Sequence, residues 1–130
     1  MSTQITELTF LDQLAHRFNI PVPEHLDATA SRARVRESLK KWGKGVVKAD
    51  IMTGGRGKAG LVKIVDDAQE ATQKLRRLAT VEYKGQQARI AYITQFIEAS
   101  LQIYTAITYD SRYLGPALTM SMKGGVDIES

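Results

Sequence analysis

The sequence of 130 residues lacks cysteine, which excludes a disulfide framework and any thiol chemistry. It has only three prolines, and no apolar stretch approaches the ~20 residues that a membrane-spanning helix needs. The start of the chain has neither the basic leader nor the apolar core of a secretion signal. These absences favour a cytoplasmic protein that does not enter a membrane.

Aromatic residues are few, and the basic residues are unevenly spread. Residues 32–63 contain ten Lys or Arg against two acidic residues, a local balance of +8 in a chain whose net charge is +4. Such a field attracts polyanions, including nucleic acid. However, Trp42 is the only one of the nine aromatic residues in this stretch, so an interleaved aromatic surface is missing. A basic nucleic-acid-binding module without catalysis is therefore the alternative hypothesis.

The order of helical and strand patterns predicts a mixed α/β sheet domain with flanking helices. With 43% hydrophobic residues, the chain can form one domain over residues 1–130 with a sizeable core. Period, caps and turn residues give the expected elements. The expected helices are Ile5–Phe18, Arg32–Trp42 and one that Asp67 caps; the expected strands are His25–Ala28, Val46–Ile51, Leu61–Val65, Arg89–Ala99, Gln102–Asp110 and Pro116–Met122.

Two of these elements carry further expectations. In the first helix, an apolar stripe that includes Leu8, Leu11 and Phe18 should pack on the core. In Arg89–Ala99, both alternating sets of side chains are mainly apolar, which predicts a central strand buried on both faces.

The centre of the chain is a glycine-rich turn between two β-branched runs. Residues 53–60 read Thr-Gly-Gly-Arg-Gly-Lys-Ala-Gly, and four glycines let backbone N–H groups approach a ligand closely. The pattern predicts a β-hairpin that closes over phosphates. Taken alone, an ordinary flexible hairpin explains it equally well.

Spacing and context exclude two common phosphate loops. Met52 and Ala59 stand where a nucleoside-triphosphatase loop needs its first Gly and its final hydroxyl. Residues 55–60 fit Gly-x-Gly-x-x-Gly, but a strand pattern follows where the dinucleotide-binding fingerprint requires a helix. Strand, glycine-rich turn and strand instead match a flap over nucleotide phosphates, as in protein kinases. A helix beginning at Gly60 would contradict this interpretation.

Three segments resemble the β subunits of succinyl-CoA synthetases, which are ATP-grasp proteins. Residues 46–50, Val-Val-Lys-Ala-Asp, run into Gly54–Gly60, and residues 120–129 are similar to the family's later segment of small, Gly-Gly and acidic residues. The helix ending in Phe-Asn-Ile-Pro-Val-Pro at residues 18–23 is similar to the family's start. The resemblance therefore covers nearly the whole chain, and it implies the amino-terminal part of an ATP-grasp domain.

The resemblance implies a set of nucleotide contacts. Lys48 corresponds to the lysine that contacts phosphate oxygens, and Gly55, Arg56 and Gly57 correspond to the phosphate loop. Glu98 lies where the family holds adenine and ribose. Gln102 occupies the place of a second acidic residue, so this sequence departs from the pattern there. No catalytic residue or metal ligand is assigned within the chain; Asp127 and Glu129 are acidic without further support for metal binding.

The resemblance also implies a reaction and its partners. ATP or GTP forms an acyl phosphate of a di- or tricarboxylic acid, and CoA displaces the phosphate. A phosphorylated histidine of a CoA-binding α subunit or domain relays the phosphoryl group, and neither His16 nor His25 matches it. Lys48-Ala49-Asp50 with Gly60-Leu61-Val62 leans toward ATP-citrate lyase and citryl-CoA synthetase. The family's Mg²⁺ ligands are expected beyond Ser130, so we expect a fragment of a longer hetero-oligomeric enzyme that is inactive alone.

Overall fold

A computed structural model describes residues 4–124, and it divides the chain into two compact units. The first unit is Met1–Ile97 and the second is Glu98–Ser130. No helix within the described residues has the length and apolar character that crossing a bilayer requires.

The first unit contains a short helical stretch and two longer helices, each begun by a side-chain cap. Thr6, Ser31 and Asp67 accept hydrogen bonds from backbone N–H groups of the first turns. Gly43, with φ 77°, ends the first of the two longer helices, because a residue with positive φ cannot continue the helix. The helical elements are α1 Glu7–Thr9, the contiguous π-helical turn Phe10–Leu14, α2 Ala15–Arg17, α3 Arg32–Trp42 and α4 Ala68–Leu78.

The strands of the first unit are β1 His25–Asp27, β2 Gly45–Ala49, β3 Val62–Val65, β4 Glu82–Tyr83, β5 Gln86–Gln87 and β6 Ala91–Gln95. Four of them form one sheet in the order β1-β6-β2-β3. Every pairing in this sheet is antiparallel. The expected hairpin is confirmed, because β2 and β3 pair directly on either side of the glycine-rich turn.

The two faces of the sheet pack against different helices. Ala91 and Ile93 of β6 belong to the larger core, to which α3 contributes Val35 and Leu39 and α4 contributes four residues. Tyr92, between them, packs instead with Leu8 and Leu11 of the first helical stretch. Side chains alternate across a strand. The expected arrangement of helices flanking a sheet is therefore confirmed.

Strand β6 is central, as its sequence predicts. It lies between β1 and β2, and its first four residues are buried. However, it ends at Gln95, so the expected strand Arg89–Ala99 is too long. Its last ladder partner on β2 is Gly45, opposite Gln95, and beyond it, within residues 4–124, only the Phe96 amide still continues this pairing, by donating to the Lys44 carbonyl.

Other details of the expected elements are wrong. Phe18 is 64% exposed, because the helix ends at Arg17 and the chain turns at Asn19, whose φ is 52°. The turn at Lys84 and Gly85, both with positive φ, closes the small β4–β5 hairpin, which the sequence patterns did not predict.

The second unit contains one antiparallel hairpin, β7 Tyr104–Asp110 with β8 Gly115–Ser121. The expected strands began two residues too early in β7 and one residue too late in β8. Cross-strand partners share a face. One face is mainly apolar and exposed, and its pairs are Thr105 with Met120, Ile107 with Leu118, and Tyr109 with Pro116.

The core of the first unit predicts a position-dependent loss of stability. Ile93→Ala removes a fully buried side chain of β6, so we expect the free energy of unfolding to fall by about 2–5 kcal/mol. Ile64→Ala, on β3, is the matched control because Ile64 is 57% exposed, and it should cost less than 1 kcal/mol. Urea unfolding measures both; equal losses would contradict the layer arrangement.

Candidate functional site

The glycine-rich turn forms a single compact helical turn that leads into an extended strand. Ala59 N–H donates to the Gly55 carbonyl at 3.0 Å, and Leu61 N–H donates to the Arg56 carbonyl at 2.9 Å. No helix follows, because β3 begins at Val62. The geometry therefore agrees with a strand–turn–strand flap and not with a dinucleotide-binding fingerprint.

The start of this turn presents a run of backbone donors. The amide groups of Arg56, Gly57 and Lys58 have no hydrogen-bond acceptor within the described part of the chain. Gly55 precedes them with φ 78°, a conformation that side chains disfavour. Successive N–H groups at the start of a helical turn attract anions. The turn is therefore a candidate anion-binding loop.

The sheet register determines where Lys48 lies. Lys48 pairs with Tyr92 across β2 and β6, so both side chains lie on the face covered by the first helical stretch. The Lys48 ammonium is 5.9 Å from the centre of the Tyr92 ring. The side chain is 22% exposed, so it does not extend into bulk water.

A carboxylate from the first helix connects the two cations that the sequence singled out. Glu7 accepts a hydrogen bond from Lys48 Nζ on Oε1 at 2.6 Å and one from Arg56 Nη2 on Oε2 at 2.5 Å. Arg56 Nη1 also donates to the Ala49 carbonyl at 3.3 Å, which holds the guanidinium against the end of β2. The structure thus brings Lys48 and Arg56 together around one side chain.

Electrostatics favour the ionised state of this cluster. Burial would raise the pKa of Glu7, but the charge of Lys48 and hydrogen bonds from Lys48 and Arg56 outweigh it and lower the pKa from 4.5 to about 2. This lowering corresponds to roughly 3 kcal/mol in favour of the carboxylate. Burial lowers the pKa of Arg56, yet Glu7 raises it overall. The three side chains of this ion-paired group, Lys48, Arg56 and Glu7, together carry one net positive charge.

Tyr92 forms the floor of the cluster. Its side chain is fully buried, and its hydroxyl makes no hydrogen bond of good geometry within residues 4–124. Burial, followed by the charge of Glu7, raises the pKa of Tyr92, so the phenol stays neutral. The hydroxyl interacts electrostatically with both Glu7 and Arg56.

Asp50 fixes the helix that carries Glu7. The side chain lies at the end of β2, is 4% exposed, and accepts a long hydrogen bond of 3.4 Å from the Leu8 amide. A carboxylate at a helix N-terminus is electrostatically favourable. The first turn of the helix is thereby attached to the same sheet that carries Lys48.

The other predicted contacts lie in the second unit. Glu98 and Gln102 are both exposed and belong to no strand, since β7 begins only at Tyr104. The expected strand Arg89–Ala99 included Glu98, but β6 ends three residues before it, at Gln95. The Gln102 carbonyl accepts a hydrogen bond from the Gly124 amide. Asp127 and Glu129 fall outside the described residues.

Sequence reasoning missed Glu7, Asp50 and Tyr92 as members of the cluster. Glu7 is separated from Lys48 by 41 positions, and no spacing motif connects the two. The usable signal was the alternation of side chains in β2 and β6. Once the pairing of Lys48 with Tyr92 is known, this alternation places both side chains on the same face of the sheet. For metals, no group of three or more His, Asp or Glu side chains with suitable geometry occurs among the residues described.

Comparisons with known proteins agree with this fold. The family model of the ATP-grasp domain matches residues 10–130. The chain therefore belongs to the ATP-grasp domain family. Among its relatives, the β subunit of an ADP-forming succinate–CoA ligase from a Wolbachia species of Brugia malayi is 36% identical over 125 residues.

Two further relatives are similar over the same part of the chain. The corresponding ADP-forming subunit from Geobacter sulfurreducens is 36% identical over 124 residues, and the GDP-forming subunit from Thermus thermophilus is 33% identical over 119 residues. Each of the three alignments covers 90% of this chain and 31–32% of the relative. The chain thus spans about a third of the length of these relatives.

The cluster predicts a pH-dependent contribution to stability. Because the folded pKa of Glu7 is lowered, its contribution is complete above pH 4.5 and is lost as the pH falls toward 2. Glu7→Gln should lower the unfolding free energy at pH 7 by up to roughly 3 kcal/mol, and the difference from wild type should shrink by pH 2.5. Urea unfolding at the two pH values measures this.

Glu70→Gln is the matched control for this experiment. Glu70 pairs with Lys74 four residues later on the surface of α4, at 3.0 Å. Such pairs contribute about 0.3–0.5 kcal/mol. A Glu7→Gln difference that stays the same at both pH values would contradict the three-way ion pair.

Proposed function

We propose that this chain binds the phosphates of ATP or GTP as the nucleotide-binding part of an acid–CoA ligase. The observation that supports this most directly is the convergence of Lys48 and Arg56 on one carboxylate, beside a turn in which three amides have no acceptor among residues 4–124. This donor set suits a polyphosphate, since cations and backbone N–H groups both bind phosphate oxygens. Membership of the ATP-grasp family agrees with it.

The proposed roles follow from the chemistry of each residue. The Lys48 ammonium contacts α- or β-phosphate oxygens as a point charge, whereas the Arg56 guanidinium stabilises charge on the γ-phosphoryl group. Gly55 and Gly57 let the turn approach the phosphates without side chains intervening. Glu98 and Gln102 of the second unit are proposed to contact ribose and adenine.

For the whole protein, we propose that the nucleotide supplies a phosphoryl group to a carboxylic acid. The resulting acyl phosphate reacts with CoA, which forms a thioester and releases phosphate. The relatives are succinate–CoA ligases, which favours succinate, while an ATP-citrate lyase or citryl-CoA synthetase type of reaction uses the same steps. A CoA-binding α subunit that carries the relaying histidine completes the proposed cytoplasmic hetero-oligomer.

Magnesium enters this proposal only through the family. Phosphoryl transfer uses Mg²⁺ to neutralise charge across the β- and γ-phosphates. The described residues do not offer a cluster of carboxylates that fits this ion. We therefore assign no Mg²⁺ ligand to residues 4–124 and place the ligands in a later part of the polypeptide.

We also propose that residues 1–130 are the amino-terminal part of one ATP-grasp domain in a longer subunit, and that they do not complete catalysis alone. The hairpin β7–β8 supports this, because its apolar face is exposed, with Ile107 75% and Leu118 63% accessible. A two-stranded hairpin is only marginally stable by itself. Additional polypeptide on this face would bury it.

The nucleotide proposal predicts a loss of affinity in one lysine variant. Lys48→Ala should weaken ATP binding about ten- to a hundredfold, because a charge-assisted hydrogen bond contributes about 1.5–3 kcal/mol. Lys40→Ala is the matched control, since Lys40 is exposed on α3 and changes the net charge equally. Isothermal titration calorimetry with ATP and with GTP, at fixed salt and Mg²⁺, measures the effect.

Duplex DNA in the same titration tests the alternative, a nucleic-acid-binding module based on the basic stretch. DNA binding that weakens with salt and responds equally to Lys40→Ala and Lys48→Ala would favour that alternative. Wild-type protein that binds neither ATP nor GTP would contradict the proposed function.

The proposal of a longer subunit predicts the size of the protein in its own cells. An antibody against the first unit should detect a band about three times larger than 14.4 kDa, given that the chain spans 32% of a relative. Immunoblotting of a cell extract measures this. A single band near 14.4 kDa would contradict the proposal.

A further inference from the structure

Lys48 and Arg56 are connected by Glu7, a residue from the amino-terminal helix. Glu7 binds both cations with its two carboxylate oxygens, and all three side chains are less than a third exposed. Two cations this close repel each other unless an anion lies between them. The separation of the two head groups is therefore defined by the width of one carboxylate and two short hydrogen bonds.

We propose that Glu7 is a positioning residue for phosphate binding: it holds Lys48 and Arg56 at a fixed separation and keeps its contacts with both when nucleotide binds. This inference rests on the proposed nucleotide-binding function. Glu7 itself does not touch the nucleotide in this account. It acts through the two cations.

The cations have donors to spare while Glu7 is bound. An ammonium has three N–H groups, and Lys48 uses one of them on Glu7. A guanidinium has five, and Arg56 uses one on Glu7 and one on the Ala49 carbonyl. The remaining donors can bind phosphate oxygens without breaking either ion pair. The net charge of the three side chains remains positive, so an anion is still attracted.

The helix that carries Glu7 is itself fixed by several contacts, which disfavours displacement of the Glu7 carboxylate by phosphate. Thr6 caps its helix, the Leu8 amide contacts Asp50 in the sheet, and Leu8 packs on Tyr92. Moving the Glu7 carboxylate away from the cations would disturb this packing. Glu7 therefore resembles a fixed part of the site more than an anion that competes with the ligand.

ATP titration of Glu7→Gln separates positioning from competition. The substitution adds one positive charge to the site, so a competing carboxylate predicts tighter binding. Positioning predicts the opposite, a loss of about tenfold in affinity, which corresponds to about 1.4 kcal/mol. Glu7→Asp keeps the charge but is one methylene shorter, and it should lose affinity to a smaller degree. Glu70→Gln, the surface control, should bind like wild type.

A double-mutant cycle tests whether Glu7 acts through its partners. In an Arg56→Ala background, Glu7→Gln should cost less than threefold, because the pair it positions is already broken. A merely structural role would give the same loss in both backgrounds. The NMR signals of the Arg56 guanidinium provide a second readout: hindered rotation in wild type should become free in Glu7→Gln.

The outcomes distinguish this inference from the proposed function. Wild-type protein that does not bind ATP would overturn both. Wild-type binding with equal or tighter binding by Glu7→Gln, or equal losses in both backgrounds, would overturn the positioning role alone. Glu7→Gln protein that unfolds at the assay temperature leaves Glu7→Asp as the test: affinity equal to wild type would overturn the inference.

Discussion

A single carboxylate between two cations is the constraint around which the first unit is arranged. Burying charges is costly, and a buried pair is stable only when its geometry and hydrogen bonds are good. Glu7 meets this condition by giving one oxygen to Lys48 and the other to Arg56. Without Glu7, two neighbouring cations would remain partly buried on the sheet with no anion between them. The first helix would also lose the side chain through which it contacts both Lys48 and Arg56.

The layers of the fold explain how these residues meet. Helices α3 and α4 cover one face of the antiparallel sheet and form the larger core, which leaves the opposite face for the short first helix. Alternation in β2 and β6 places Lys48 and Tyr92 on that second face. The glycine-rich turn connects β2 to β3, and this reversal brings Arg56 close enough to donate a hydrogen bond to the Ala49 carbonyl at the end of β2. A sheet with one large core thus supports a small charged cluster on its other side.

The sequence predicted the elements that depend on residues close together along the chain. Arg32–Trp42 was recognised in full because its cap, stripe and terminal glycine are all local signals, and the β2–β3 hairpin followed from two β-branched runs around glycines. The family resemblance identified the ATP-grasp domain, which the comparisons confirm. Glu7 could not be found in this way, because its meeting with Lys48 depends on how a helix packs on a sheet. The end of β6 likewise depends on the length of its neighbours.

The nucleotide proposal, the positioning role and the acid stability all depend on the ionised state of one side chain. The most direct test is the pKa of Glu7 itself, measured from the chemical shift of its carboxyl carbon in an NMR titration of the folded protein. The account predicts that Glu7 stays ionised until the pH approaches about 2. Titration near 4.5, the ordinary value of a glutamate, would show that Lys48 and Arg56 do not share this carboxylate and would contradict the account.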